Sequence, residues 1–228
     1  MSLNAQRLVI ESGSAGPVSG LLIRPPEARA CFVFAHGAGA GMTHPFMETL
    51  ATGLGARGIA TLRYQFPYME KGSRRPDPPA VAQAAVRAAV AEAGRCAPGL
   101  VLIAGGKSFG GRMTSQAQAN APLPCVRGLA FLGFPLHPAG KPSSDRALHL
   151  ADIRIPLLFL QGTRDSLADA KLLEPVVASL GALASLHLVE GADHSFHVLA
   201  RSGRSDREVM SEILDAFATW AATLAARA

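Results

Sequence analysis

Three polar residues with the side chains of a nucleophile, an acid and a base each follow an apolar run that predicts a strand. The first is Ser108, which lies in the string GGKSFGG at residues 105–111, after the apolar run 100–104. A G-x-S-x-G string between a strand and a helix predicts a sharp turn that exposes the serine hydroxyl at the edge of a sheet. Glycines on both sides let such a turn pass close to neighbouring backbone. Ser108 is therefore a candidate nucleophile.

A serine hydroxyl becomes a nucleophile when a base removes its proton and an acid orients that base. Asp165 follows the apolar run 155–162, and His194 follows a shorter strand predicted at 186–191. The order serine, acid, histidine along the chain is one of the orders in which such triads occur. The pattern therefore predicts that His194 accepts the proton of Ser108 and that Asp165 orients its imidazole.

Two neighbouring residues are alternatives for these roles. His197 lies three residues after His194 and is the rival base, and Asp193 directly precedes His194 and is the rival acid. We favour His194 because it is nearer the end of the predicted strand. We favour Asp165 because neighbouring side chains such as those of Asp193 and His194 generally diverge.

A glycine-rich loop upstream could stabilise negative charge on a reacting oxygen. The apolar strand predicted at 31–35 leads into HGAGAG at residues 36–41. Glycines allow backbone N–H groups to turn towards a bound oxygen, and by position we expect the N–H groups of Ala38 and Phe109 to form an oxyanion hole. His36 is expected to support this loop through a hydrogen bond. A flexible loop, or a phosphate-binding turn before a helix, remains the alternative.

The strings HGAGAG, GGKSFGG, QGTRD and GADHSF together resemble the α/β-hydrolase superfamily, over nearly the whole chain. They are most similar to its small lidless branch, which includes dienelactone-hydrolase-like proteins and predicted hydrolases of unassigned substrate. That group of predicted hydrolases also contains a chromatin-complex subunit. Dienelactone hydrolases proper have a cysteine where this chain has Ser108, so their substrate class is not implied. Many lipases have an aromatic residue or histidine where this chain has Lys107, which speaks against lipase specificity.

Strands and helices alternate along the sequence, which predicts an α/β fold with a mostly parallel sheet and helices on both faces. We expect one domain over residues 1–228, with antiparallel edge strands at 6–11 and 20–24. The connection 133–152 is short and rich in proline, so no cap domain is predicted. Loops containing residues 42, 44, 65–69 and 136–137 are expected to form an open active-site mouth that suits a partly apolar acyl or aryl group.

Local signals predict where three of the helices begin or bend. Asp77 and Pro78 predict a helix start, and the alanine-rich segment 80–93 then runs to Gly94. Ser205 and the glutamate three residues later predict a capping box for the last helix. Pro175 predicts a kink or a late start in the helix after Asp165.

Composition narrows the classes of partner. The net charge of +5 comes from 22 basic and 17 acidic residues that are scattered along 228 positions. The densest basic cluster, Lys71, Arg74 and Arg75, predicts a solvated loop and not a nucleic-acid site. The three cysteines, Cys31, Cys96 and Cys125, have no metal-type spacing and are expected to be small core residues in a reducing compartment. Without a signal peptide or an apolar run long enough to span a bilayer, we expect a cytoplasmic protein with no membrane partner.

Cofactor-binding patterns are not favoured. His187, His194 and His197 could suggest a metal site, but His187 falls within a predicted strand and no acidic ligands accompany the three. The string GKS at 106–108 resembles the end of a P-loop, yet the first glycine of that motif would fall at Val101. No dinucleotide-binding glycine pattern follows the first strand. We therefore predict no cofactor.

Taken together, the sequence predicts a serine hydrolase that cleaves an ester, thioester or related acyl bond of a small molecule through an acyl-enzyme intermediate. The alternative is the same fold used as a non-catalytic binding or scaffold module, since a fold does not fix function. The presence of serine, aspartate and histidine together favours the enzyme. The sequence does not predict the substrate or the oligomeric state.

Overall fold

A computed structural model of the chain describes residues 4–226. Its framework is a sheet of eight strands in the order β1-β2-β4-β3-β5-β6-β7-β8. The strands are β1 (Gln6–Glu11), β2 (Pro17–Ile23), β3 (Ala30–Ala35), β4 (Ile59–Tyr64), β5 (Val101–Lys107), β6 (Val126–Leu132), β7 (Leu157–Gly162) and β8 (Ala184–Val189). Strands β1 and β2 pair antiparallel, β2 pairs antiparallel with β4, and the remaining pairs are parallel. This is the mostly parallel sheet that the sequence predicts.

Helices connect most of the parallel strands. They are α1 (Pro45–Gly55), α2 (Pro67–Glu70), α3 (Pro79–Cys96), α4 (Phe109–Asn120), α5 (Ala170–Ser179) and α6 (Asp206–Ala225). Between β6 and β7 the chain forms a 3₁₀ turn at Asp145–Asp152 and no strand or α-helix, so there is no separate cap domain among residues 4–226.

Helices cover both faces of the sheet, and the side chains of the central strand β3 alternate between them. Phe32 and Phe34 pack in one buried cluster with α1 and α6 residues such as Leu50 and Phe217. The neighbouring side chains of β3 pack in a second cluster, on the face covered by α3 and α4. Because β3 is buried on both faces, it is a continuous apolar run.

The parallel strands place the predicted site residues at one edge of the sheet. In register, Ala35 at the end of β3 pairs with Gly106 of β5, directly before the nucleophile turn. On the other side, Leu132 of β6 pairs with Lys107, and Gly162 of β7 pairs with Val189 at the end of β8. The carboxyl ends of parallel strands form the crevice in which open α/β sheets bind ligands.

Local signals mark the starts of two helices, and the predicted capping box is confirmed. Pro45 is the first residue of α1, and the His44 side chain caps the helix by accepting a hydrogen bond from the Phe46 N–H. The capping box of Ser205 and Glu208 is present at the start of α6.

Two local predictions about α3 are wrong. Asp77 does not cap α3, because its carboxylate accepts a hydrogen bond from the Tyr68 N–H at 2.8 Å and the helix begins after Pro78 without a side-chain cap. That helix also continues past Gly94 to Cys96. Pro175 lies inside α5 and not at its start, since Asp169 caps the helix ahead of it. The late start is therefore excluded, and the kink stays a prediction.

The cysteines are also less uniform than expected. Cys31 is buried in β3, Cys96 is half-buried at the end of α3, and Cys125 is exposed in the loop before β6. Cys125 also has a positive φ of 61°, which is typical of a turn residue. The prediction of a core position is therefore wrong for Cys125. Separately, no helix in the described part of the chain is long and apolar enough to cross a bilayer.

Candidate active site

Ser108 lies on a strained turn between β5 and α4. Its backbone has φ 50° and ψ −116°, a region that L-residues rarely adopt and that costs about 1–3 kcal/mol. The Ser108 N–H donates to the Leu132 carbonyl of the neighbouring strand at 3.1 Å, which ties the turn to the sheet. The hydrogen bond to the sheet maintains the strained conformation of the turn. A turn of this kind presents the serine hydroxyl at the edge of the sheet, as predicted for a nucleophile turn.

The glycines of the G-x-S-x-G string are required by close backbone packing. A Cβ at Gly110 would lie 2.6 Å from the carbonyl oxygens of both Ala35 and His36, and one at Gly106 would lie closer still to that of Ala35. These are backbone atoms of β3 and its following residue, so they cannot rotate away as a side chain can. The start of α4 therefore approaches β3 more closely than any residue with a side chain would allow.

The structure brings Ser108, His194 and Asp165 together in one chain of hydrogen bonds. His194 Nε2 lies 2.9 Å from Ser108 Oγ, and His194 Nδ1 lies 2.7 Å from Asp165 Oδ2. The carboxylate can only accept, so the proton is on Nδ1 and the Nε2 lone pair faces the serine hydroxyl. This tautomer is the one that general-base chemistry at the serine requires.

Asp165 is buried and its carboxylate is fully bonded. Its side chain has no exposed surface, while that of His194 is 23% exposed. Oδ1 accepts from the Leu167 N–H at 2.8 Å, and Oδ2 accepts from the Gln161 side chain as well as from His194. These bonds compensate the carboxylate for the loss of water and hold its orientation.

The glycine-rich loop after β3 is held by His36, which is fully buried. Its Nδ1 donates to the Gly37 carbonyl at 2.8 Å, and its Nε2 accepts from the Phe66 N–H at 3.0 Å. Burial lowers the pKa of His36 from 6.5 to about 4, so the ring is neutral near pH 7. Because the Gly37 carbonyl and the Ala38 N–H belong to one peptide plane, His36 orients that N–H. The expected support by His36 is present.

Ala38 lines the same cavity as Ser108, and Phe109 directly follows the serine in the chain. Phe109 is the first residue of α4, so its N–H has no acceptor four residues back in the helix. The N–H of Ala38 has no acceptor among residues 4–226, and the Ala38 carbonyl is held by the Tyr68 hydroxyl at 2.9 Å. An anion beside Ser108 would also meet the positive end of the α4 dipole.

A cavity of about 390 Å³ opens onto the serine. It is lined by the loop Gly37–Ala40, by His44, Phe46 and Met47 at the start of α1, and by Lys107, Ser108, His194 and Ser195. Of the expected mouth residues only His44 belongs to this cavity. Phe66 and Tyr68 are instead buried behind the glycine-rich loop, where they support it.

The rival residues have other partners. His197 is exposed and pairs with Asp206 at 2.8 Å. The Asp193 carboxylate accepts from the N–H groups of Ser195 and His197 and so shapes the loop. His187 pairs with Glu212. No cluster of three or more metal-ligating side chains occurs among residues 4–226.

A second serine–histidine contact lies away from this cavity. Ser115 Oγ is 2.7 Å from His149 Nε2, but Ser115 is fully buried in α4 and donates its hydroxyl proton to the Arg112 carbonyl at 2.9 Å. Burial, with the nearby Arg112 charge, lowers the pKa of His149 to about 4. The pair therefore links α4 to the 3₁₀ turn. A substrate cannot reach the Ser115 hydroxyl, because it is buried.

Solved structures of other proteins share this architecture. A serine hydrolase without a lid from Xanthomonas campestris is 19% identical, with a TM-score of 0.73 and 96% of each chain covered. A dienelactone hydrolase from Anabaena variabilis is 19% identical, with a TM-score of 0.74 over 95% of this chain and 96% of that one. A serine hydrolase homologue from Coxiella burnetii is 20% identical, with a TM-score of 0.74, covering 94% and 97%.

At these identities the structural similarity shows the fold alone. The family is shown by a separate comparison, in which the model of the alpha/beta hydrolase domain matches residues 28–222 of this chain. That range extends from just before β3 to the last helix and contains all the residues assembled around Ser108. The chain belongs to the alpha/beta hydrolase domain family.

Proposed function

We propose that this alpha/beta hydrolase cleaves an ester, thioester or related acyl bond of a small molecule, with Ser108 as its nucleophile. The observation that carries the proposal is the line of hydrogen bonds from Asp165 through His194 to Ser108, at 2.7 and 2.9 Å. It is supported by the strained, half-buried position of the serine and by the cavity that opens onto it.

In the acylation step the Ser108 oxygen attacks the substrate carbonyl carbon while His194 Nε2 takes the hydroxyl proton. The carbonyl π electrons move to oxygen, and the N–H groups of Ala38 and Phe109 stabilise that oxyanion. Each such donor is typically worth about 3–4 kcal/mol in the transition state. When the intermediate collapses, the bond to the leaving oxygen or sulfur breaks and His194 protonates it, leaving the acyl group on Ser108.

In the deacylation step water replaces the leaving group. His194 removes a proton from water while the water oxygen attacks the acyl carbon. The same two N–H groups donate hydrogen bonds to the oxyanion that forms. Collapse of this intermediate returns the proton to Ser108 and releases a carboxylic acid. Every proton and electron pair is accounted for by these residues and water, and the reaction needs no cofactor.

The cavity favours a compact, partly apolar acyl group. Phe46 and Met47 form its apolar wall, and the Gly37–Ala40 loop provides its backbone side. A volume of about 390 Å³ suits a short aliphatic or aromatic acyl group better than a long chain. We therefore expect short-chain esters to be cleaved faster than long-chain esters.

Labelling with a fluorophosphonate probe tests the proposal. The wild-type protein should be labelled, and Ser108→Ala and His194→Ala should not. Two matched controls use the rival residues: Ser115→Ala removes the serine of the buried serine–histidine pair, and His197→Ala removes the rival base. Both should keep labelling. Labelling that persists in Ser108→Ala would refute the assignment.

The alternative is a non-catalytic binding or scaffold module, the role suggested by the sequence resemblance to a branch with a chromatin-complex subunit. That role predicts a stable complex with a protein partner and no reaction with the probe. Absence of labelling, together with such a complex on co-purification, would favour the scaffold over the hydrolase.

A further inference from the structure

Lys107 contacts the proposed base, although no step of the proposed reaction uses it. It is the last residue of β5 and directly precedes Ser108. Its ammonium Nζ donates a hydrogen bond to the backbone carbonyl oxygen of His194. Two consecutive residues of the nucleophile turn therefore hold one histidine, Ser108 at the imidazole and Lys107 at the main chain.

The surroundings of the ammonium hold it in this position. Nζ lies 5.4 Å from the centre of the Phe196 ring and 5.9 Å from that of Phe46, and the two rings are stacked at 5.9 Å. Cations are attracted to the faces of aromatic rings at such distances. A Cβ at Gly133 would lie 2.9 Å from Nζ and 3.3 Å from the His194 ring. The glycine therefore leaves the space that the ammonium occupies.

The histidine loop needs such an attachment. His194 lies in the irregular segment between β8 and α6. The Asp193 carboxylate binds the N–H groups of Ser195 and His197, which shapes the loop from within but does not connect it to the nucleophile turn. Lys107 makes that connection from the end of a central strand.

We propose that Lys107 is a positioning residue, whose ammonium anchors the His194 main chain so that the imidazole stays aligned between Asp165 and Ser108. This inference rests on the proposed function. Misplacing a reacting group by about 1 Å can lower a rate about 100-fold. Loss of the hydrogen bond from Lys107 to the His194 main chain should therefore lower turnover strongly. Lys107 contacts neither the reacting atoms nor the leaving group in this account.

The charge of the tether changes near pH 8. Burial lowers the pKa of Lys107 from 10.5 to about 8, against the opposing influence of the Asp165 and Asp193 carboxylates. The other groups that face it are the His194 imidazole and the two aromatic rings. A neutral amine is a weaker donor than an ammonium. The tether should therefore weaken as the pH rises through about 8.

The substitution Lys107→Met tests the tether, because methionine matches the apolar stem of lysine up to Cε and removes the donor Nζ. With p-nitrophenyl acetate as substrate, kcat should fall about 10- to 100-fold, while KM changes less than about 2-fold because the cavity wall is retained. Lys171→Met is the matched control, since Lys171 is exposed at the start of α5. It should match the wild type.

The pH profile separates positioning from a merely structural role. In the wild type, kcat should fall above about pH 8 towards the level of Lys107→Met, and the variant should show no such fall. Lys107→Arg should also lose this limb, because a guanidinium stays protonated. That variant and the wild-type profile decide the question even if Lys107→Met does not fold.

The outcomes distinguish the tether from the function on which it rests. Wild-type kcat in Lys107→Met, or an alkaline limb that persists in Lys107→Arg, overturns the positioning role and leaves the hydrolase intact if Ser108→Ala is inactive. Hydrolysis that survives in Ser108→Ala, or a wild type without hydrolysis, overturns both.

Discussion

At the scale of single residues, the strain at Ser108 has a measurable consequence. Ser108→Ala and Ser108→Gly should both abolish hydrolysis, but Ser108→Gly should be the more stable protein by about 1 kcal/mol. Glycine adopts a positive φ without steric cost, whereas alanine keeps the strain of about 1–3 kcal/mol. Part of the stability gained by relieving this strain is lost again, because glycine is more flexible in the unfolded chain. Chemical denaturation of the two variants measures the difference. Equal unfolding midpoints would show that the turn is not strained.

A second residue-scale prediction concerns His36, which orients the peptide plane that carries the Ala38 N–H. Asparagine at this position can still donate near the Gly37 carbonyl, as the Nδ1 atom does, whereas glutamine places its amide further out. His36→Gln should therefore lower kcat by about 10- to 100-fold, since one oxyanion donor is worth about 10²–10³. His36→Asn should lose less. Steady-state kinetics of the two variants makes the comparison, and the reverse order would contradict it.

At the scale of elements, the packing of α4 against β3 predicts opposite effects for two glycine substitutions. Gly110→Ala places a methyl group 2.6 Å from two backbone oxygens, and such overpacking should destabilise the fold by about 1–3 kcal/mol and displace Ser108. Gly94→Ala is the matched control inside α3, where the new methyl group would meet only Leu102 at 3.9 Å. It should stabilise the protein by up to about 1 kcal/mol. Thermal unfolding and probe labelling of both variants test this, and a Gly110→Ala protein as stable and active as the wild type would contradict it.

The elements that carry the triad could be predicted from sequence because each follows an apolar strand: β5 and β7 are buried, and β8 is mostly half-buried. The apolar runs before Ser108 and Asp165 are long enough to predict such strands without any knowledge of their neighbours. The hydrogen-bonded triad then follows from the common edge of a parallel sheet.

Other features depended on tertiary contacts that no local pattern contains. Phe66 and Tyr68 have the composition of a pocket wall, but they pack beneath the glycine-rich loop. Asp77 has the sequence context of a helix cap, but its carboxylate binds the Tyr68 N–H of an earlier element. Phe46 and Met47 had no signal of their own beyond their place directly after the glycine-rich loop.

At the scale of the whole molecule, the buried His36 and the half-buried His149 make stability depend on pH. The pKa values of His36 and His149 are lowered from 6.5 to about 4 in the folded chain. The unfolded chain therefore binds more protons than the folded chain between these values, and stability falls as the pH drops through this window. For the deeply buried His36 the loss between pH 7 and pH 5 is about 2 kcal/mol.

Denaturant unfolding at pH 7 and pH 5 measures this loss. His149→Gln should lose less stability than the wild type over the same interval, because one of the two titrating groups is gone. Carboxylates with lowered pKa values, such as that of Glu212, add their own loss only below their ordinary value of 4.5. A wild-type stability that is unchanged between pH 7 and pH 5 would contradict the lowered pKa values of His36 and His149.

The residue that a fluorophosphonate labels shows directly whether Ser108 is the nucleophile. The wild-type protein is treated with a fluorophosphonate, digested, and analysed by tandem mass spectrometry. One phosphonyl adduct is expected on Ser108, and it should be absent when His194→Ala is treated in the same way. An adduct on another residue, or an intact wild-type protein without any adduct, would contradict the claim that this serine is the nucleophile.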